Sequence, residues 1–478
     1  MTKKTDNNLK RQIEFFRSFL EKDAYYSNIS RLFFLSKATE KYSVSDVRQF
    51  WKNFVGLRGK KELLENINFY IHIPFCNSRC GYCSFPSDEL RELKRVSQYV
   101  DFLVDTIKYF QKTFSKTKFR NLYIGGGTPN ILSSYQMEKL LSSLFGRFNF
   151  LENSEERIRT CEFNASVGDL SKLEILKKYD FDRVSFGVQS FSRKTLTIAG
   201  RGYQTYEQVA AAVTMAKKLG FKIINTDLIV GLPGDTPKTF AESFSKLIDL
   251  EPTTIICYGL YPPDSQYVKK HFKMNYQEYF KKHYPKTMPI FMREAFKIAE
   301  KKGYTSKPFD LAKFHWQFSD PVYSKIMKAR EGFGKAYGGE FSACSPSSTF
   351  GMGPFSRSHV YGELEYQQAG SFDDFSETKK IFSGRDLTSA DEMLNFVISS
   401  FEQGTKIFHQ DFLRIFGKRL EDVFPFALQS LRKMKKIRKE KKYFRIKPQD
   451  AEDKYIAALF FVYESAIKRK MKNHEKRP

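Results

Sequence analysis

The sequence predicts an α/β protein, built of repeated β-α-β units on a parallel sheet and extended at both ends. Three observations carry this. Apolar runs at 67–73, 121–124, 183–188, 226–230 and 254–258 recur at intervals of roughly 30–60 residues. Helix-period stretches lie between them, at 98–114, 134–148 and 205–219. Several of the apolar runs end in glycine or polar clusters, where a barrel-like sheet places its ligands.

Residues 1–65 alternate charged with aromatic or aliphatic positions, as in Gln12-Ile13-Glu14-Phe15-Phe16-Arg17. That texture predicts two or three amphipathic helices as an N-terminal extension. Residues 66–345 hold the β-α-β alternation and form the core unit. Past 330 the glycine density rises (Gly332, Gly334, Gly338, Gly339, Gly351, Gly353), which predicts loops in close backbone contact. Residues 346–478 form a C-terminal unit in which helix patterns resume from about 386. Its last stretch, 431–478, has 17 Lys/Arg against 6 Asp/Glu. Leu431, Met434 and Ile437 there predict a helix with a thin apolar stripe. The following Tyr443-Phe-Arg-Ile reads as a short strand, so the end of the chain suits a small winged-helix-like unit. Its lysines are expected to form a solvated face, with no specific nucleic-acid complex.

Composition bounds the function. A chain of 478 residues has room for two or three domains, and 41% hydrophobic residues with 16% aromatics exclude disorder. The formal net charge of +26 excludes an acidic solvating chain but does not select nucleic acid over anionic small molecules. No apolar stretch approaches the roughly 18 residues of a membrane span. The N-terminus Met1-Thr-Lys-Lys-Thr-Asp has no apolar signal core. A cytoplasmic protein is expected. Six cysteines are too few for a disulfide scaffold.

Three of those cysteines crowd into Tyr70-Ile-His-Ile-Pro-Phe-Cys76-Asn-Ser-Arg-Cys80-Gly-Tyr-Cys83. Spaced i, i+4 and i+7 in a loop after a strand, their thiolates can converge on one metal centre. Three sulfurs are one short of a closed zinc site and one short of the four that usually hold a [4Fe–4S] cluster. The readings are a cluster with one open iron, a zinc site completed by His72 or a distant residue, or three unligated thiols.

The Cys-x3-Cys-x2-Cys motif after Tyr70-Ile-His-Ile-Pro-Phe resembles the radical S-adenosylmethionine (SAM) superfamily. Within that superfamily the chain is similar to the oxygen-independent coproporphyrinogen III dehydrogenase family. Tyr123-Ile-Gly-Gly-Gly-Thr-Pro129, Glu162-Phe-Asn164, Arg183-Val-Ser-Phe-Gly-Val-Gln189, Gly200-Arg-Gly202, Asp227-Leu-Ile-Val-Gly-Leu-Pro233 and Gly351-Met-Gly353 follow in order. The resemblance covers 66 to about 465 and implies a partial (β/α)6 radical SAM barrel with a small helical C-terminal domain. It implies a [4Fe–4S] cluster on Cys76, Cys80 and Cys83, and one or two SAM molecules. For SAM it points to Tyr70, Tyr82, Gly126, Gly127, Thr128, Glu162, Gln189, Arg201 and Asp227, with the loop at Gly259 as a wall for a second molecule. The glycines spare backbone a Cβ where it approaches a head group, and an arginine such as Arg201 can pair a carboxylate bidentately. Cys161, Cys257 and Cys344 read as small buried hydrophobes.

The activity so implied is SAM cleavage and hydrogen abstraction from an organic, tetrapyrrole-related small molecule, with an electron donor such as flavodoxin or ferredoxin. Two alternatives come from the same family: a two-SAM radical C-methyltransferase or cyclopropanase, and a non-enzymatic heme chaperone. The chain departs from decarboxylating members at Phe85, where they usually carry a further cysteine. It departs again in lacking their Arg-Tyr-Thr-Ser-Tyr-Pro element, and at Pro354-Phe-Ser356, where relatives commonly have an alanine after the second glycine element.

Overall fold

Seven parallel strands make the centre of one sheet, and the chain supplies six of them consecutively, each followed by helix. The computed structural model describes residues 13–14, 16, 40–57, 64–90, 92–153, 155–167, 169–310, 315–323, 325, 347–368, 381–403, 406–447 and 456–465. An edge strand, β1 (Glu40–Ser43), precedes the six, which are β2 (Ile67–Ile73), β3 (Lys118–Gly126), β4 (Arg159–Phe163), β5 (Arg183–Gln189), β6 (Ile223–Val230) and β7 (Thr254–Gly259). Helices Leu93–Phe110, Ser134–Phe145, Lys172–Lys178, Tyr206–Lys218 and Pro237–Ile248 alternate with them. This is the expected partial barrel.

Thr305–Asp310 (β8) and His315–Ser319 (β9) close the β7 side as antiparallel strands. On the β2 side, β10 (Ser348–Met352) pairs parallel, and β11 (Arg357–Val360), β12 (Leu364–Gln368) and β13 (Ile381–Asp386) follow antiparallel. The order runs β1-β13-β12-β11-β10-β2-β3-β4-β5-β6-β7-β9-β8.

Local sequence sets these boundaries. Ser133 and Gln136, and Thr205 and Gln208, form reciprocal capping boxes that start their helices at the residue after the cap. Thr236 caps the next helix, with Pro237 at its first position. The strands carry alternating large apolar residues into a core of edge-on aromatics, such as Phe69 with Phe119 at 4.9 Å and with Phe350 at 5.3 Å.

The N-terminal extension is not purely helical. Glu40–Ser43 joins the sheet edge beside β13, and helix Val44–Val55 then buries Trp51, whose Nε1 donates to Tyr366 Oη at 2.8 Å. A second core begins with helix Ser389–Gln403 and gathers Phe412, Phe424, Phe444 and Phe461. Phe16 from the extension packs into it, 5.0 Å from Phe460.

The predicted helix over 431–442 is corrected. Helix Pro425–Lys433 stops where Lys435 turns left-handed at φ 56°, and Ile437–Lys439 is a strand paired with Phe444–Ile446. The stripe of Leu431, Met434 and Ile437 is coincidence of spacing: Leu431 and Ile437 are buried from two different elements. Gly332, Gly334, Gly338, Gly339 and Cys344 lie outside the described residues.

Candidate functional site at the strand ends

The loop after β2 carries Cys76, Cys80 and Cys83, all three half-buried free thiols. Backbone bonds hold it: Leu90 N donates to Cys76 O at 2.8 Å and Gly81 N to Ala199 O at 3.1 Å. Two donors face the sulfurs. Thr128 Oγ1 lies 3.5 Å from Cys76 Sγ, and Arg201 Nη1 lies 3.8 Å from Cys80 Sγ. Burial pushes the Cys76 and Cys83 thiols up, and the neighbouring Cys80 adds to both shifts. Such thiols stay protonated until a cation arrives, which is the coupling expected of a metal site. Among the described residues no three His, Cys, Asp or Glu side chains are already gathered to hold a metal ion.

The glycine triplet serves this loop as well as any ligand. A Cβ on Gly127 would stand 2.6 Å from Phe75 O and 2.9 Å from Cys76 Sγ. One on Gly126, at φ +120°, would meet the His72 ring at 2.8 Å. Side-chain directions that the sequence suggested for a head group are thus occupied by the chain itself. Thr128 likewise turns its hydroxyl to Cys76.

Two carboxylates line the adjacent strands. Glu162 on β4 accepts from Tyr123 Oη at 2.6 Å and from Gly126 N at 3.1 Å. Asp227 on β6 accepts from Asn225 Nδ2 at 2.8 Å and Ser185 Oγ at 3.3 Å. Register places Glu162 beside Ser185 and Asp227 beside Gly187, so the three strands bring them to one region of the interior. Burial raises both carboxylates, Asp227 to about 6.

Arg201 is buried, with Nη2 donating to Gly187 O at 2.7 Å and Gln204 Oε1 at 2.8 Å, while its Nε has no partner. Gln189 ends β5 at φ 70°, its amide nitrogen 2.9 Å from where a Gly187 Cβ would sit. Tyr82 packs on a small apolar cluster of Leu232, Leu260 and Tyr267. Tyr70 lies 6.0 Å from Tyr123, and Gly259 ends β7 beside Val230. The strand ends thus bring the cysteine loop to Thr128 and Arg201, and Glu162 to Asp227. Cys161 and Cys257 are buried.

Arg183 and Tyr267 have no role assigned from the sequence, and His72 has one only as the residue that would complete a zinc site. His72 is buried, with Nε2 3.1 Å from Pro86 O and Nδ1 2.8 Å from Tyr70 Oη. A carbonyl only accepts, so Nε2 carries the hydrogen and Nδ1 accepts from Tyr70. Burial holds this imidazole neutral, with its pKa lowered to about 4. Arg183 is buried with Nε unpartnered, and its charge opposes the burial that raises Glu162 and Asp227. Strand alternation from Ser185 gives that placement. Tyr267, on helix Ser265–Phe272, has a buried hydroxyl without a partner, and its ring lies 3.7 Å from where a Gly81 Cβ would sit. Nothing in the sequence marks it.

Comparisons with known proteins meet the same region. The radical SAM superfamily model matches residues 70–247. Oxygen-independent coproporphyrinogen III oxidase of Salmonella typhimurium is 32% identical over 193 residues, 40% of this chain and 41% of that protein. Heme chaperone HemW of Lactococcus lactis is 35% identical over 193 residues, 40% of this chain and 48% of that protein. The matches thus span less than half the length of either relative. The solved structure of coproporphyrinogen III oxidase (HemN) from Escherichia coli superposes with a TM-score of 0.70 at 22% identity, covering 88% of this chain and 94% of that one. At that identity the likeness is one of fold.

Proposed function

From the premise that residues 70–247 form a radical SAM domain, we propose that the chain is an enzyme that abstracts hydrogen from a carboxylated, tetrapyrrole-related small molecule. The observation that carries this is the pairing at the strand ends. Two of the three soft thiols in one loop face Thr128 and Arg201, and two half-buried carboxylates stand on β4 and β6, the strands on either side of β5. Cys76, Cys80 and Cys83 would hold a [4Fe–4S] cluster, the sulfur donors suiting iron. Bound there, a reduced cluster with SAM would supply the one-electron chemistry for hydrogen abstraction.

The chain's own residues do the rest. Arg201, whose Nε is free, offers a cation beside the cysteine loop for a carboxylate of SAM. Glu162 and Asp227 offer acceptors for an ammonium and for ribose hydroxyls, each already oriented by two donors. His72 fixes the Tyr70 hydroxyl through Nδ1 and ties the loop at Pro86 to β2. The net charge of +26 suits a substrate with several carboxylates.

A second reading, heme binding without turnover, rests on the similarity to HemW. The methyl-transfer alternative gains no support from these comparisons. Anaerobic reconstitution, then mass spectrometry after incubation with SAM, a reductant and coproporphyrinogen III, separates the readings. Loss of two carboxyl groups is expected for the oxidase-like enzyme. Stoichiometric heme uptake with no 5′-deoxyadenosine formed would replace that reading with the second.

A further inference from the structure

The described residues from 389 to 446 form a small unit whose element order is helix (Ser389–Gln403), strand (Lys406–Ile407), helix (His409–Phe416), short helix (Leu420–Val423), helix (Pro425–Lys433), strand (Ile437–Lys439) and strand (Phe444–Ile446). The three strands order with 444–446 in the middle. This is a winged-helix arrangement, with Pro425–Lys433 as the helix beside the sheet and 437–446 as the wing. The structure replaces the expected helix with a hairpin, and its basic side chains are exposed to solvent.

That hairpin sorts its side chains sharply. Ile437, Phe444 and Ile446 enter the core, while Arg438, Lys441, Lys442 and Arg445 are exposed, with Arg432 and Lys433 at the adjoining helix end. Among the described residues Arg438 pairs with Glu440 at 3.5 Å and the neighbouring Lys439 with Glu421 at 2.5 Å, whereas Arg432, Lys433, Lys441, Lys442 and Arg445 have no carboxylate within 4.0 Å. Yet aromatic rings back several of the cations. Arg445 stands 5.5 Å from the Tyr443 ring, Lys406 stands 4.8 Å from the same ring, and Arg432 stands 5.5 Å from Phe444. Cations braced on rings lose less freedom on meeting an anion than free side chains do.

We propose that the wing hairpin and the end of helix Pro425–Lys433 bind the phosphate backbone of double-stranded nucleic acid, without base-sequence preference. A duplex presents about one negative charge per 1.7 Å of axis, which matches a dense array of cations of which Lys441, Lys442, Arg445, Arg432 and Lys433 carry no ion pair among the described residues. The tip of the wing is Lys441-Lys442, whereas a membrane-inserting hairpin would carry apolar residues there. The unpaired cations point outward on a helix end and a strand pair, the two elements that grooves admit. This inference stands apart from the chemistry proposed at the barrel.

The test uses the full chain and fluorescence anisotropy with 20-bp duplexes of two unrelated sequences. Both are expected to bind within about twofold of each other. The variant K441Q/K442Q should bind about tenfold more weakly near 100 mM salt and lower the log–log salt slope by about 2. K112Q/K116Q, the same charge removed from exposed sites between β2 and β3, should change affinity by less than about twofold. Equal losses in the two variants would show a general charge effect and overturn the proposal. No binding at 50 mM salt would overturn it too, as would tighter binding to anionic phospholipid vesicles than to duplex.

Discussion

The strand-end site and the wing both concentrate charge, and they treat it in opposite ways. At the strand ends Arg201 is buried and Glu162 and Asp227 are half-buried, and each is held by at least two groups of the chain itself. On the wing the cations stand outside, backed by aromatic rings and mostly without carboxylates. Withdrawing a charge costs free energy unless its hydrogen bonds are replaced. The orphaned Nε atoms of Arg183 and Arg201 and the Tyr267 hydroxyl show that replacement at the strand ends is incomplete. Net charge, which advertises the wing, is therefore no guide to where chemistry occurs. A few buried groups, invisible in the +26 total, carry more information.

The largest expected effect separates the two regions directly. Replacing any one of Cys76, Cys80 or Cys83 with Ala should remove most of the iron from reconstituted protein, because the loop offers only three protein sulfurs. The thermal stability of the iron-free chain should hardly move, since these thiols are half-buried and outside the core clusters. K441Q/K442Q should leave iron content unchanged. Iron and sulfide assays with melting curves check both statements. A cysteine variant retaining full iron would remove the basis for the site.

Next in size is the independence of the two cores. Phe461 is fully buried in the second core, 5.3 Å edge-on to Phe424. Phe461→Ala should destabilise that unit by about 3–5 kcal/mol, the usual cost of a large aromatic deletion. Hydrogen exchange should show lost protection at 409–446 but not in β2 to β7. Iron uptake should persist. Loss of protection in the barrel strands would make the two regions one cooperative unit.

The sequence reads better where one pattern dominates than where two compete. Strand β2 was legible to the residue because Ile67, Phe69, Ile71 and Ile73 alternate as large apolar residues, and its cysteine loop because the spacing is chemically unusual. Strand β4 was harder, being five residues long with Glu162 inside it. The antiparallel strands at 357–360 and 364–368 carry Arg, Ser, His, Glu and Gln at half-buried sites and offer no apolar run. In the tail, lysines that a helix tolerates well hid a turn set by one left-handed residue, Lys435. The glycine motif was found, but its reason was not. Gly126 and Gly127 make room for His72 and Cys76, contacts between segments about 50 residues apart in sequence that no local pattern reports.

The smallest expected effect tests whether the strand ends are truly withdrawn from water. Burial lifts Asp227 from 3.8 to about 6 and lowers His72 from 6.5 to about 4. The folded chain holds the Asp227 proton more tightly than the unfolded chain does. That group's stabilising contribution is therefore present below about pH 4 and is lost as pH rises through about 6. His72 runs the other way: the unfolded chain binds its proton more tightly, so its contribution is present above about pH 6.5 and is lost as pH falls toward 4. Asp227→Asn keeps an oxygen for Asn225 and a polar partner for Ser185 but cannot ionise. It should gain on the parent as pH rises from 4 to 7, by about 1–2 kcal/mol once partial solvent access is allowed for. Urea unfolding of the iron-free chains across that range measures the difference, with K441Q/K442Q as the solvated reference running parallel to the parent. If Asp227→Asn also ran parallel, Asp227 would be as solvated as the wing, and the contrast between the two regions would fail at that carboxylate.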